Sequence, residues 1–327
     1  MDIRPLDLTD DSVAADVYSV ECRATSQARP GWVPLGESSR VLSWRTDNGW
    51  HRSFVGAFEG DCLIGFAASL TAPDTPDTTW VSVSVLPEHQ RRGVGTLLCQ
   101  AAEQASPDSA SRFVASVYRR TAEEMENVVR GFAQPLGYVC ATTETVVELD
   151  LLRVDIRPVE PAEGYTVNTY LDGVPDHLRA QVGVLKGMVD AEAPNGTLQW
   201  QPTPVSAEEY EVEIGLWQQQ GRTAIESVAL DRDGVVVAWT CVVTAADIHR
   251  PAQIEGTLVL TAHRGRRLGA AVKTANLLAA HANGGTARVR TSSDDQTVWM
   301  RAINKQLGFL PIESEVVLHR RRRDPVA

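Results

Sequence analysis

Hydrophobic positions along the chain switch between a period near two and a period near 3.6, and each switch marks an element. Ile3 to Leu6 reads as a short strand. Asp10 or Asp11 can cap a helix running to about Gln27, which Arg29-Pro30-Gly31-Trp32 breaks. A second helical piece spans roughly Ser38 to Thr46. Ser53 to Phe58 and Cys62 to Leu70 fold back on each other about Glu59-Gly60-Asp61, and Thr71 to Asp77 is a loop of prolines and aspartates. Thr79 to Leu86 is a fourth strand, followed by a helix from Thr96 to Gln104. Arg112 to Tyr118 is a fifth strand, Ala122 to Phe132 a helix, and two last strands end near Leu152.

Arg153 to Pro161 reads as a join, because Pro158 and Pro161 favour an extended path. The order then repeats. Tyr165 to Thr169 is a strand, Asp176 to Val189 a helix, and Ala193 to Pro204 a loop with three prolines. Glu208 to Gln219 is helical, a hairpin turns at Asp231-Arg232-Asp233-Gly234, and Gln253 to Thr261 is a fourth strand again. At this length two domains are expected, 1–153 and 154–327, each large enough for its own core.

Between the fourth strand and its helix lies Gln90-Arg91-Arg92-Gly93-Val94-Gly95. Glycines at such a turn let several backbone N–H groups point into one concavity at a helix N-terminus, a geometry that binds phosphate. The spacing is neither that of a Walker loop nor that of a Rossmann loop. Thr257 to Ala280, placed under Val83 to Ser106, sets Arg264 beneath Gln90 and Gly269 beneath Gly95 at an offset of 174. Leu136-Gly137-Tyr138 matches Leu307-Gly308-Phe309 at an offset of 171, and each half ends in a β-branched run, Thr145 to Leu149 and Glu315 to Leu318.

The loop resembles the Gln/Arg-x-x-Gly-x-Gly/Ala signature of the GNAT acyltransferases, and the Leu-Gly-aromatic element resembles the same family's pattern. The chain as a whole is similar in layout to tandem GNAT proteins such as mycothiol synthase. Its second loop is similar in wording to those of actinobacterial tandem members, some of them linked to antibiotic biosynthesis. The resemblance implies an α/β (α+β) fold of two tandem GNAT domains, each a mixed, mostly antiparallel sheet flanked by helices. It implies acetyl-CoA, or another acyl-CoA, as co-substrate and no metal. Its pyrophosphate would lie on Gln90-Arg91-Arg92-Gly93-Val94-Gly95-Thr96 and on Arg264-Gly265-Arg266-Arg267-Leu268-Gly269-Ala270. Its pantetheine would bond the backbone of Val83, Ser84 and Val85, and of Thr257, Leu258 and Val259. The Ala193–Pro204 loop falls near the family's substrate loop.

The halves depart from that pattern in opposite ways. The first keeps the loop, but its fourth strand carries no carboxylate, and Ala133 stands where the family has a tyrosine that protonates the departing thiolate. In the second, Arg267 replaces the first loop glycine, which puts the tight loop in doubt. Gln253, Glu255 and Thr257 are expected on one strand face, with Glu255 either a general base or an exposed strand residue. Asn304 takes the tyrosine position, where it could bond the pantetheine or the sulfur. Asp294 and Asp295 read as caps of the following helix rather than as bases.

Composition narrows the partners. A net charge of −11 argues against a nucleic-acid binder and weakly favours a cationic acceptor. Arg320-Arg321-Arg322-Arg323 reads as a solvated tail, with a contact to the adenine 3′-phosphate or to another subunit as alternatives. No window approaches the roughly 18 apolar residues of a membrane span, and the acidic start is unlike a signal peptide. Five scattered cysteines fit a reducing cytoplasm better than a disulfide framework or zinc. The expected activity is N-acylation of a small-molecule amine by direct attack in a ternary complex, by a monomer or a homodimer, with Glu255 and Asn304 as catalytic candidates. An acyl-CoA-binding or sensing protein without turnover, and a protein N-acetyltransferase, are the alternatives.

Overall fold

The helix cap expected near the N-terminus forms at Asp10, whose Oδ1 accepts from the backbone N–H of Ser12 at 2.8 Å and of Val13 at 3.4 Å. The computed structural model describes residues 1–193, 196–245, 247, 249–283 and 286–322. In chain order the first half contains β1 (Asp2–Pro5), α1 (Asp11–Ala28), α2 (Glu37–Arg45), β2 (His51–Glu59), β3 (Cys62–Thr71), β4 (Thr78–Val85), α3 (Val94–Gln104), β5 (Arg112–Arg119), α4 (Ala122–Val128) and β6 (Val139–Asp150). The second contains β7 (Thr166–Leu171), α5 (Asp176–Glu192), α6 (Ala207–Gln219), β8 (Thr223–Leu230), β9 (Val236–Thr244), β10 (Ala252–Val259), α7 (Leu268–Ala282), β11 (Arg288–Asp294), α8 (Val298–Leu307) and β12 (Leu310–Arg321).

Two differences from the expected elements are local. The helix expected to reach Phe132 is α-helical only to Val128, then widens to a π turn over Val129–Ala133 and tightens over Gln134–Leu136. Pro135 lacks an N–H donor there, so a regular ladder cannot continue. The two last strands expected in the first half are one strand, β6.

The chain divides into two compact units, Met1–Thr143 with Glu313–Ala327, and Glu144–Ile312. In the first, the strand order is β1-β2-β3-β4-β5-β12, antiparallel except for β4 and β5. In the second it is β6-β11-β10-β9-β8-β7, antiparallel except for β10 and β11. Each unit thus takes its closing strand from the other sequence repeat. Glu315–Leu318 pairs with Tyr118–Ala115, and Thr145–Leu149 pairs with Ser293–Val289. Leu318 is buried with Leu98 and Phe113, and Leu149 with Leu277 and Val289. A β-branched run satisfies either sheet edge equally well, so its pattern does not name its partner. We keep 1–153 and 154–327 as the proposed limits of the two domains as sequence repeats.

The terminal arginines are a correction. Arg320 ion-pairs with buried Glu103 at 2.9 Å and donates to the Leu136 carbonyl at 2.8 Å, while Arg322 donates to the Glu103 carbonyl at 3.2 Å. These two are structural arginines packed over the Phe113 ring rather than a solvated tail, and Arg323 lies outside the described residues. Burial raises the pKa of Glu103, and its hydrogen bond from Tyr138 at 2.8 Å and its pair with Arg320 oppose that.

The expected loop 193–204 has an unexpected seat, although its Pro194 lies outside the described residues. Thr203 and Val205 donate to the carbonyls of Gly187 and Gly183 on α5, at 3.3 and 3.0 Å. A Cβ on Gly183 would meet the Val205 carbonyl oxygen at 2.0 Å, and one on Gly187 the Thr203 oxygen at 1.9 Å. Both groups are backbone and cannot swing aside. Gly183→Ala is therefore expected to destabilise the chain by about 1–3 kcal/mol. Gly215→Ala, on α6 with open space at its Cβ, should instead stabilise it by about 0.4–1 kcal/mol. Urea melts of the two variants beside the parent check both signs.

Candidate functional site

Each sheet contains one parallel pair, and in both the pairing stops almost at once. β4 pairs β5 only at Thr78, Thr79 and Trp80, and β10 pairs β11 only at Ala252 and Gln253. Past those points the strands separate. Val83, Ser84 and Val85, and likewise Thr257, Leu258 and Val259, keep partners on β3 or β9 but have no strand partner on the other side among the described residues. Backbone groups left open in this way are a row of donors and acceptors for an extended ligand.

Each opening ends at a glycine-containing turn. In the first, Arg91 (φ 62°) and Gly93 (φ 82°) are left-handed, and α3 starts at Val94. In the second, Gly265 (φ 77°) and Arg267 (φ 61°) are left-handed, and α7 starts at Leu268. The same two positions adopt the same conformation in both turns, with glycine and arginine exchanged between them. Arg267 therefore does not open the second turn, because Gly265 relieves the other strained position. Gln90 Nε2 donates to the Val85 carbonyl at 3.0 Å, and Arg264 Nε to the Val259 carbonyl at 3.1 Å, so both turns are tied to their strands alike. Arg264 also pairs with Glu192. Gly95 and Gly269 admit close neighbours: a Cβ would lie 3.2 Å from Phe132 in one and 3.4 Å from Val259 in the other. Thr96, Arg92, Val94, Arg266 and Ala270 complete the two helix starts.

The openings differ at the strand. β3 and β4 run in unbroken register from Gly65↔Val85 to Thr71↔Thr79. Between β9 and β10 the register steps from Ile254↔Val242 to Gly256↔Cys241, which leaves Glu255 as the extra residue of a β-bulge. The bulge reverses the alternation of faces. Ala252 and Ile254 pack with Leu277, but after the bulge it is Leu258 that packs with Trp239, and Val259 that packs with Leu268 and Val272. Thr257 thus leaves the face expected for it beside Gln253 and Glu255, and its Oγ1 meets Thr240 Oγ1 at 2.8 Å.

Glu255 faces a charged cluster on the side of α5 and α6. Its side chain is 36% exposed, and Arg222 Nη2 lies 3.8 Å from its Oε1. Burial of the carboxyl raises its pKa, and Arg222 opposes this. Beneath it, Glu226 is fully buried and accepts from Trp239 Nε1 at 2.8 Å and from the Tyr210 hydroxyl. Burial raises its pKa as well. Lys186 pairs with Glu213 and sits 5.4–5.5 Å from the rings of Tyr210, Trp217 and Trp239. Burial pulls its pKa down, but Glu213 and the other acidic neighbours leave it raised. None of Lys186, Arg222 and Glu226 stands out in the sequence, where they are single charges in an ordinary helix, turn and strand respectively. Among the described residues, no three His, Cys, Asp or Glu side chains are placed to hold a metal, and no helix is long and apolar enough to cross a membrane.

Residues 18–138 match the acetyltransferase (GNAT) family. This stretch is a GNAT domain. Over 99% of both chains the fold is similar to that of a tandem GNAT protein from the clavulanic acid biosynthesis pathway, with a TM-score of 0.81 and 22% identity. It is also similar to a GCN5-related N-acetyltransferase from Sphaerobacter thermophilus (TM-score 0.67, 18% identity, 99% of this chain and 96% of that one). A glucosamine N-acetyltransferase region of a fungal β-N-acetylglucosaminidase matches 98% of this chain and 38% of that one, with a TM-score of 0.65 and 15% identity. No curated protein matches the sequence significantly. The fold is thus that of tandem GNAT proteins.

Asn304 is the residue expected at the family's tyrosine position in the second half. Asn304 is buried and fully used: its Oδ1 accepts from Lys273 at 2.5 Å and its Nδ2 donates to Ser293 Oγ at 3.2 Å. Lys273 is 1% exposed, and burial lowers its pKa to about 7. The first half has Cys99, 174 residues earlier, and a different buried set around Glu103 and Tyr138. The expected helix caps Asp294 and Asp295 are also employed otherwise. Asp294 Oδ1 accepts from Gln296 N–H at 2.7 Å and Asp295 Oδ1 from Thr145 Oγ1 at 2.6 Å, while α8 begins after Thr297.

Lys273 sheds its proton on folding at any pH between its folded value of about 7 and its ordinary 10.5. The unfolded chain then binds more protons than the folded one, so stability rises with pH across that window. Denaturation midpoints at pH 7 and pH 9 should show this rise, and Lys273→Met should flatten it.

Proposed function

We propose that the chain is an acyl-CoA-dependent N-acyltransferase acting on an amine of a small molecule, with Glu255 in the second repeat as its general base. The observation that carries this reading is the bulge: it sets a carboxylate of raised pKa at the mouth of the opened strand pair β10/β11, one strand length from the Arg264–Ala270 turn. The residues present fit acetyl-CoA. The turn and the N-terminus of α7 would hold its pyrophosphate, and the open edge at Thr257, Leu258 and Val259 would hold its pantetheine.

Acetyl-CoA supplies an activated acyl group, and the chain has to prepare the amine. Glu255 takes one proton from the acceptor ammonium and releases it to solvent. Backbone N–H groups freed at the bulge stabilise charge on the thioester oxygen. As the C–N bond forms, the C–S bond breaks with its electron pair on sulfur, and the second amine proton ends on that sulfur. An ammonium and a thioester thus become an amide, a thiol and one free proton. Holding both reactants in one opening supplies much of the acceleration. The acyl group could be acetyl or longer. The first repeat has the turn but neither a bulge nor a carboxylate on β4, so its role is to bind acyl-CoA without transferring the acyl group; a single site per chain would leave it a structural role alone.

A second reading, acyl-CoA binding without turnover, is favoured by one observation. Both polar atoms of Asn304 are engaged inside the protein, which leaves no side-chain acid at the usual place for the thiolate.

Glu255→Gln is expected to lower kcat by about 10²- to 10⁴-fold and to leave acetyl-CoA affinity unchanged, as read by thiol release and calorimetry. In the parent, the acid limb of the pH–rate profile should lie above the ordinary carboxylate value of 4.5, because burial raises the Glu255 pKa. Loss of little activity in Glu255→Gln would leave the second reading or another base. Because both turns share the same backbone form, acetyl-CoA should bind at two sites per chain. Gly93→Trp should remove one of them and spare turnover.

A further inference from the structure

Arg222 has more hydrogen-bonding capacity than the protein uses. Its side chain is only 11% exposed, and a guanidinium carries five N–H donors. The acceptors are few. Nη1 reaches Gln220 Oε1 at 3.4 Å, Nη2 lies 3.8 Å from Glu255, beyond hydrogen-bond range, and Nε has no acceptor among the described residues. Other charges around this group do not fill the gap. Glu213 is engaged by Lys186, and the face of Trp217 lies 5.9 Å from the guanidinium carbon. A buried, under-bonded cation beside the parted strands β10 and β11 is costly unless a ligand completes it. Glu255, next to it, is in the complementary position: a carboxylate with a third of its surface open and, among the described residues, no hydrogen bond that ties it down.

We infer that Arg222 and Glu255 form a two-point acceptor site for an amino acid or another compound bearing a carboxylate close to its amine. The acceptor carboxylate lies on the Nη2 side of the Arg222 guanidinium, which stands 3.8 Å from Glu255, and the acceptor ammonium lies on Glu255. Trp217 forms an apolar wall beside the guanidinium. This rests on the reading of the second repeat as the acyl-transfer site. It adds what that reading leaves open, namely the class of acceptor. A net charge of −11 would favour any cation, whereas Arg222 selects among amines by a second, anionic group.

The test uses the intact chain loaded with acetyl-CoA and three matched pairs: glycine against methylamine, 4-aminobutanoate against propylamine, and L-phenylalanine against phenethylamine. Binding is followed by saturation-transfer NMR and turnover by thiol release. The expected result is that, in at least one pair, the carboxylate-bearing member binds about 10- to 100-fold more tightly. Arg222→Gln should abolish that preference and Arg222→Lys should restore part of it, with unchanged acetyl-CoA affinity and, for Arg222→Gln without acceptor, a melting temperature no lower than the parent's. If Arg222→Gln fails to fold, acceptor competition in the parent by propanoate against propanol gives the same readout. Equal binding within every pair, no binding of any member, or a preference that survives Arg222→Gln overturns the inference. Carboxylate-dependent binding without thiol release supports it and overturns the acyl-transfer reading. Thiol release from plain amines without preference does the reverse.

Discussion

Two parallel strands that pair at their start and then part are the constraint on which the candidate site depends. Parted strands expose backbone groups that no sheet partner satisfies, and such groups are tolerated only where water or a ligand meets them. The opening persists because each parted strand is held firmly on its far side. β4 lies against β3 and β10 against β9 along their lengths, while β5 is held by β12 and β11 by β6. The closing strands are therefore part of the site's support, although they stand two strands from the parted edge. That role is filled in each unit by a strand from the other repeat.

The repeats have kept this frame and traded what sits on it. At the phosphate-type turns the trade is neutral. Two positions must be left-handed, and each turn spends one glycine and one arginine on them in opposite order. At the strand the trade is not neutral, since one extra residue in β10 turns a regular edge into a bulge and points Glu255 toward α5 and α6. In the interior, Cys99 with Glu103 and Tyr138 corresponds to Lys273 with Asn304 and Phe309. The first set is closed by Arg320 from the last strand, and the second is closed within itself.

Charge is unevenly distributed between the two interiors. Beneath Glu255 lie Glu226, Lys186 and Glu213, interleaved with Tyr210, Trp217 and Trp239. Burying so many ionisable groups costs stability unless each finds a partner, and nearly all do. Arg222 is only partly satisfied: Nη1 reaches Gln220 and Nη2 lies 3.8 Å from Glu255, but Nε has no acceptor among the described residues. An unevenly satisfied cluster of this kind is typical of a place where a ligand completes the network.

Much of the frame was legible in the chain itself. The cap at Asp10, the hairpin at Asp231 to Gly234, the helix expected from Glu208 to Gln219, and the repeat that sets Gly269 beneath Gly95 are all written within a few residues of where they act. Glu255 could be singled out because it falls on the fourth strand of the second repeat, near the place where the GNAT family often puts a general base. Its bulge could not, since a bulge exists only relative to a neighbouring strand whose register is decided elsewhere. The seat of the 203–205 segment on Gly183 and Gly187, the burial of Arg320, and the pairing of Thr145–Leu149 with β11 were hidden for the same reason. Caps, turns and periodicity act over one or two turns of chain, so sequence alone determines them. Edge pairing, bulges and buried charge depend on what packs alongside from many residues away, and only the tertiary structure decides that.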